Sequence, residues 1–232
     1  MNLASGKLFV VASPLGNLAD FSLRALETLK LVDYWIVEDT RVSGKLQTHF
    51  NLQKPMLILN EHTLSHKLEE YVSLLSEGKT AAVLTDAGVP GISDPGSMLV
   101  DLCYQSGIAV DALPGPSAVT TALMLSGFFA QRFCFLGFLP RKPGPIKEEL
   151  ERYKESTLTL VLFESPYRIQ KLLTLMAEVL GARRYAICRE MTKLYQQVYK
   201  GVLPAYPSAK EVPLKGEFTL VIEGKRKHAP LL

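Results

Sequence analysis

Short β-rich runs of four or five residues alternate with helical patterns through the first half of the chain. This alternation narrows the choice of fold more than any other feature. Leu8 to Ala12, Tyr34 to Val37, Met56 to Leu59, Ala81 to Thr85 and Ala109 to Leu113 read as strands. Between them, Ser22 precedes Leu23, Leu26 and Leu29 at helical spacing, and further helical patterns fall near Gly44 to Phe50, Lys67 to Ser76 and Pro95 to Tyr104. Strand and helix in strict succession predict parallel strands in a sheet with helices packed on its faces.

The turn Pro114-Gly115-Pro116 interrupts this rhythm, because proline locks its backbone angle and removes a donor. A boundary is expected there, with residues 1–113 forming an amino-terminal α/β lobe and 114–232 a carboxyl-terminal one. In the second lobe a helix over Ser117 to Leu125 precedes strands at Phe133 to Phe138, Thr157 to Phe163, Arg184 to Arg189, Gln197 to Gly201 and Phe218 to Glu223. A helix over Pro166 to Leu180 covers one face. The last two strands lack a helix between them, so they are expected to pair antiparallel and make the second sheet mixed.

With 232 residues and 47% hydrophobic content, the chain can bury the cores of two such lobes. A net charge of +3 permits an anionic partner without demanding one. Cys103, Cys134 and Cys188 are scattered, with no Cys-x-x-Cys pair, so neither a zinc knuckle nor a disulfide framework is indicated and a reducing cytoplasm is expected. The start of the chain lacks a secretory signal, and no apolar run reaches membrane-spanning length.

Two punctuated loops carry the chemistry. Asp86-Ala87-Gly88-Val89-Pro90-Gly91-Ile92-Ser93-Asp94-Pro95-Gly96 follows one strand and Leu113-Pro114-Gly115-Pro116-Ser117-Ala118 follows the next. Glycine lets backbone approach a ligand closely, and Asp86 and Asp94 add acceptors, so the two loops are expected to build one site. The competing reading makes Asp94 the cap of a helix whose first residue is Pro95. The first turn, Ser13 to Leu18, lacks the Gly-x-Gly-x-x-Gly of a dinucleotide fold, although Glu38 sits near the spacing of a ribose-binding acid. His62 and His66 lack the glutamate of a zinc hydrolase motif, so no metal is expected. Gly115-Pro116-Ser117-Ala118-Val119 is not Gly-x-Ser-x-Gly, so Ser117 is not read as a nucleophile.

Several ordered blocks carry a wider resemblance. They are Ala12 to Leu18, Glu38-Asp39-Thr40-Arg41 with Gly44-Lys45-Leu46, Asn60-Glu61-His62, the Asp86 to Gly96 loop and Pro114 to Ala118. Further on come Gly137 to Lys142, Glu164-Ser165-Pro166-Tyr167-Arg168, Arg189 to Lys193 and Lys215 to Phe218. Through them the chain resembles the ribosomal RNA (cytidine-2′-O)-methyltransferases of the tetrapyrrole methylase-like superfamily.

The resemblance implies a two-lobed α/β fold, each lobe a sheet of about five strands flanked by helices, with S-adenosylmethionine in a cleft between the lobes. It implies methylation of a decoding-site cytidine ribose in 16S ribosomal RNA, free or in the small ribosomal subunit, by a cytoplasmic homodimer. It carries cofactor contact onto Pro14, Asp86, Gly88, Ile92, Asp94, Ser117, Ala118, Phe163, Thr192 and Gly216. Ribose methylation needs a route for the hydroxyl proton, and Asp39 and His62 are the candidates. Capping of the following helix is the competing role for Glu38 and Asp39.

Arg41, Lys45, Arg141 and Lys142 are the expected RNA contacts, with Lys147, Arg168, Lys193 and Lys200 as further cations of a basic rim. Lys225-Arg226-Lys227 reads as a solubilising end. Two departures from the family's pattern stand out. No helical extension follows the Phe218 to Glu223 strand, and Pro143-Gly144-Pro145-Ile146 replaces further basic residues, which predicts a stiff loop. Methylation of a tetrapyrrole or another small molecule is the alternative activity, and a non-enzymatic cofactor- or RNA-binding module is the second alternative.

Overall fold

The computed structural model describes residues 6–226, and its contacts divide into two compact units, the first ending at Ser117 and the second beginning at Ala118. The first unit contains β1 (Lys7–Val11), α1 (Leu23–Leu31), β2 (Tyr34–Val37), α2 (Thr40–His49), β3 (Met56–Ile58), α3 (Ser65–Ser76), β4 (Thr80–Leu84), α4 (Ser97–Gln105) and β5 (Ala109–Leu113). Its five strands run parallel in the order β3-β2-β4-β1-β5.

Side chains alternate across this sheet with a period of two. Phe9, Val11, Trp35, Val37, Ala82 and Leu84 face one core, with Ala25 and Leu29 of α1 and Leu46 of α2. Leu8, Ile36, Ala81 and Val83 face the other, with Leu68, Tyr71 and Leu75 of α3 and Leu99 and Cys103 of α4. Because helices cover both faces, β4 is buried at every residue, the mark of a central parallel strand. Trp35 is fully buried, and its indole N–H donates to the Leu29 carbonyl at 3.0 Å, tying α1 to the sheet. Burial of each such large apolar side chain stabilises the unit by about 1.5–3 kcal/mol.

The second unit contains α5 (Ala118–Ser126), β6 (Phe133–Phe138), α6 (Pro143–Glu151), β7 (Thr159–Glu164), α7 (Ile169–Leu180), β8 (Arg184–Arg189), β9 (Gln197–Val202) and β10 (Phe218–Ile222). Its sheet order is β6-β7-β10-β8-β9. The β6/β7 pair is parallel, while β10 runs antiparallel to both β7 and β8, and β9 antiparallel to β8. Here too the faces divide: Leu160, Leu162, Ile187, Leu220 and Ile222 pack on α6 and α7. Val161, Ala186, Cys188 and Val221 pack on α5.

The mixed sheet is as expected, but its pairing is not. The last two strands are not neighbours: β10 inserts between β7 and β8, and β9 lies at the edge. The run Phe218–Ile222, buried at every residue and apolar apart from Thr219, suits a central position, whereas β9 is only half-buried along its length. Three helices also start elsewhere than the sequence suggests. The second begins at Thr40, because Asp39 caps it, the seventh at Ile169, and the fourth at Ser97. Pro143, Gly144 and Pro145 form the first turn of α6 rather than a stiff loop, which suits proline because first-turn amides need no helical partner. Lys227 lies outside the described residues.

Candidate functional site

Strand direction gathers the sequence blocks. In the first unit all strands are parallel, so their carboxyl ends share one edge, and that edge carries Ser13 to Leu18, Glu38 to Arg41, Asn60 to His62, Asp86 to Gly96 and Pro114 to Ser117. Ligands of open α/β sheets collect at such an edge. The order β4-β1-β5 makes three of these loops neighbours. Ser13 and Gly88 bridge them by two backbone bonds, the Ser13 amide to the Gly88 carbonyl at 2.7 Å and the Gly88 amide to the Ser13 carbonyl at 3.0 Å. A side chain at Gly115 would place its Cβ 3.1 Å from that of Ala12. The two punctuated loops therefore flank the Ala12-Ser13 end of β1, one on each side.

Four carboxylates surround this edge. The Asp86 amide donates to Glu38 Oε2 at 3.4 Å, and burial, then the charges of Glu38 and Asp39, push its carboxyl upward against the smaller opposing pull of the Asp39 amide and Arg41. Asp94 is half-buried, and burial, with Glu38 and Asp86 adding to it, raises its carboxyl to about 6 against the opposing Thr85 hydroxyl. The helix after it has Gly96 in the cap position and no side-chain cap bond, so Asp94 is not that helix's cap. A concentration of negative charge beside exposed loop backbone is suited to a cationic ligand. Pro14 is buried, Gly88 is buried and Ile92 is 45% exposed.

Asp39 has a different environment. Its Oδ1 accepts from the Arg41 amide at 2.8 Å, closing the cap of α2, and its carboxylate is gripped by the Arg41 guanidinium, with Nε at 3.0 Å from Oδ1. The Arg41 side chain, then its amide, holds the Asp39 carboxyl down to about 2. A carboxylate so stabilised is a weak base. The His62 ring is 86% exposed on the loop after β3, 3.7 Å from Glu61. Among the described residues no cluster of histidine, cysteine or acid side chains could hold a metal ion, and no helix is long and apolar enough to cross a membrane.

Register does for the second sheet what direction does for the first. Phe138 aligns with Phe163, Glu164 with Phe218, Phe218 with Arg189, and Arg189 with Gln197. One edge therefore carries the loops after β6, β7 and β8 and the loop before β10. Arg189 knits two of them, donating to the Lys215 carbonyl at 2.7 Å and the Tyr195 carbonyl at 3.0 Å. Glu190 accepts from the Glu217 amide at 2.9 Å and pairs with Lys193 at 3.1 Å. Gly216 (φ 95°) packs so closely on Glu190 that a Cβ would lie 2.6 Å from the carboxyl carbon.

The structure separates the rim cations. Lys147 pairs with Glu178 at 2.6 Å, Arg168 with Glu164 at 3.2 Å, Lys193 with Glu190 and Glu217, Lys225 with Glu155, and Arg226 with Glu223. Lys200 lies over the Phe128 ring. Lys45, Arg141 and Lys142 are exposed and have no ion pair within 4.0 Å among the described residues, and Arg41 is tied to Asp39. One feature escapes sequence reasoning. The Ser13 hydroxyl, like the Oγ1 of the expected contact Thr192, is buried without a hydrogen-bond partner. Unsatisfied buried hydroxyls are rare and point to a missing partner such as a ligand or water. Nothing in the sequence distinguishes the Ser13 hydroxyl from an ordinary turn serine.

Residues 7–206 match the tetrapyrrole (corrin/porphyrin) methylases, and the chain belongs to that family. Solved structures agree in fold: the uroporphyrin-III C-methyltransferase of Thermus thermophilus superposes with a TM-score of 0.65 at 19% identity, covering 94% of each chain. The methyltransferase CobJ superposes at 0.71 with 15% identity, covering 97% of this chain and 100% of that one.

Sequence relatives are nearer. The ribosomal RNA small subunit methyltransferase I of Thermotoga maritima is 44% identical over 222 residues, 95% of this chain and 99% of that protein. Its namesake from Halalkalibacterium halodurans is 42% identical over 220 residues, 94% of this chain and 76% of that protein.

Proposed function

We propose that the protein methylates ribosomal RNA of the small subunit, transferring a methyl group from S-adenosylmethionine to the 2′-hydroxyl of a decoding-site cytidine. The observation that supports the ribosomal RNA part of this reading is the 44% identity along almost the whole length of a relative named ribosomal RNA small subunit methyltransferase I. The tetrapyrrole alternative has behind it the family match over residues 7–206, which spans the ribosomal RNA enzymes' relatives as well, and structural likeness at 19% identity or less.

The residues fit the donor. Its positive charge suits an edge where Asp86 and Asp94 sit beside glycine-rich backbone, and the partnerless hydroxyl of Thr192 offers it a hydrogen bond. On this reading Pro14, Asp86, Gly88, Ile92, Asp94 and Ser117 of the first unit, with Ala118, Phe163, Thr192 and Gly216 of the second, contact the donor. When bound, S-adenosylmethionine supplies an electrophilic methyl group. The protein's own work is to hold the ribose hydroxyl in line, which supplies much of the acceleration, and to accept the proton that hydroxyl loses.

We assign that proton to His62, since the Asp39 carboxylate is held at about 2 by Arg41 and imidazoles serve as bases near neutrality. Lys45, Arg141 and Lys142 contact phosphate. Two copies act together in the cytoplasm on this reading.

Incubation of the protein with labelled donor and undermethylated small subunits, followed by nucleotide-resolution mapping, is expected to place label on one cytidine ribose. His62→Ala should lower kcat without changing the dissociation constant of the donor. No transfer to any RNA would defeat the substrate assignment, and unchanged kcat in the His62 variant would remove that residue's role.

A further inference from the structure

Aromatic rings and unneutralised cations stand side by side on the carboxyl edge of the second sheet. Tyr167 is 85% exposed and Phe138 61%. The ladder of β6 shifts register between Phe135 and Phe138, and such an irregularity re-aims the side chains that follow it. The Phe138 ring remains seated edge-on against Phe163, centroids 5.6 Å apart, leaving much of its surface open. Arg168 joins the two loops: its guanidinium donates to the carbonyls of Leu139 at 3.0 Å and Pro140 at 2.8 Å while pairing with Glu164. The chain leading into Arg141 and Lys142 is therefore braced next to the Tyr167 turn.

We propose that Phe138, Tyr167, Arg141 and Lys142 form a platform for an unpaired segment of the RNA substrate, rings stacking on bases and cations meeting phosphates. The proposal rests on the ribosomal RNA reading and adds to it the strandedness of the RNA and the side chains that grip it. Exposed rings beside unpaired cations offer stacking faces and countercharge to a single strand. Base faces are accessible only in unpaired RNA, since a duplex hides them within its stack. Charge selects the partner: RNA supplies the negative charge that Arg141 and Lys142 lack, whereas a second copy would present the same two cations again.

The test is fluorescence anisotropy of the full chain with a labelled single-stranded oligoribonucleotide and with the same sequence as a duplex, across a salt series. Tyr167→Ala is expected to weaken single-strand binding about tenfold and leave the salt dependence unchanged, while Tyr167→Phe keeps the affinity. Arg141→Ala should lower the slope of log affinity against log salt by about 0.7, one phosphate contact on a single strand. Tyr167 is exposed, so its truncation leaves the core intact. The duplex should bind more weakly and not respond to Tyr167→Ala.

Single-strand affinity unchanged in Tyr167→Ala would overturn the platform, as would equal loss on the duplex. So would a wild-type dimer that Tyr167→Ala splits into monomers in sedimentation, because the patch would then seat a second copy. Methyl transfer to small subunits by the wild-type protein separates the two failures. Transfer with Tyr167-independent binding removes the platform alone. Tyr167-dependent binding of single strands with no transfer to any RNA removes the ribosomal substrate and leaves the platform.

Discussion

Gly216→Ala is expected to destabilise the second unit and to weaken donor binding together. Gly216 has φ 95°, where a side chain costs about 1–2 kcal/mol, and its added Cβ would fall 2.6 Å from the Glu190 carboxyl. That carboxyl cannot easily retreat. Burial drives its proton affinity up, but the Glu217 amide and Lys193 outweigh burial and keep the group ionised below its ordinary value. Displacing it breaks a charge-assisted bond from the Glu217 amide, about 1.5–3 kcal/mol more.

The sum is about 3 kcal/mol or above, a fall in melting temperature of roughly 6–12 °C for a chain of this size. The proposed donor contact moves with the loop, so donor affinity should fall at least about a hundredfold, or about 2.8 kcal/mol. Gly78→Ala is the control. Gly78 has φ 92° with no atom within 4 Å of its Cβ position, so it carries the backbone strain without the collision. It should cost about 1–2 kcal/mol and leave donor binding untouched. Equal effects of the two variants on calorimetric donor affinity would show that Glu190 does not shape the site.

The second large effect has the opposite sign for stability. The Asp94 carboxyl is raised to about 6 from an ordinary 3.8, mainly by burial. The folded state therefore holds its proton more tightly than the unfolded chain does. Its contribution is fully present below about pH 4 and is lost as pH rises through about 6. The difference of about 2 units corresponds to at most about 3 kcal/mol at neutral pH, and solvent at this half-open loop reduces it.

Asp94→Asn removes the ionisation. It should raise the melting temperature at pH 7.5 by about 2–4 °C, for a realised gain of about 1 kcal/mol, and change nothing at pH 3.5. Donor affinity should meanwhile fall about tenfold or more, because the strained carboxylate is the one proposed to face the donor. A stable variant with lost binding is the usual mark of a site that trades stability for function. A melting temperature at pH 7.5 that stays level or drops would overturn this account of Asp94, and undiminished donor affinity would remove it from the site.

The contrast between Asp39 and Asp94 shows where sequence reading stops. Both are acids in loops that follow strands, and both have a capping role as the competing interpretation. In the folded chain Asp39 does cap its helix and is neutralised by Arg41 two residues on, a local arrangement that short spacing makes legible. Asp94 does not cap, because the helix starts at Ser97, and its raised carboxyl depends first on burial, then on Glu38 from another loop and on Asp86 at the far end of its own. The cations divide the same way. Arg141 and Lys142 look no different in sequence from Lys147 and Arg168, yet the latter two are consumed by Glu178 and by Glu164 with the Leu139 and Pro140 carbonyls.

By itself the chain determined the strands, the helices between them and the loops that bear the chemistry, because strand periodicity, helical spacing and glycine-proline punctuation act over a few residues. It also determined that the first sheet would be parallel, since each strand is followed by a helix that must cross back over it. Only the tertiary structure decided that β10 inserts between β7 and β8, which carboxylates crowd one another and which cations remain unpaired. Those outcomes depend on burial and on charges brought together from distant segments, energies that exist only once the sheets have assembled.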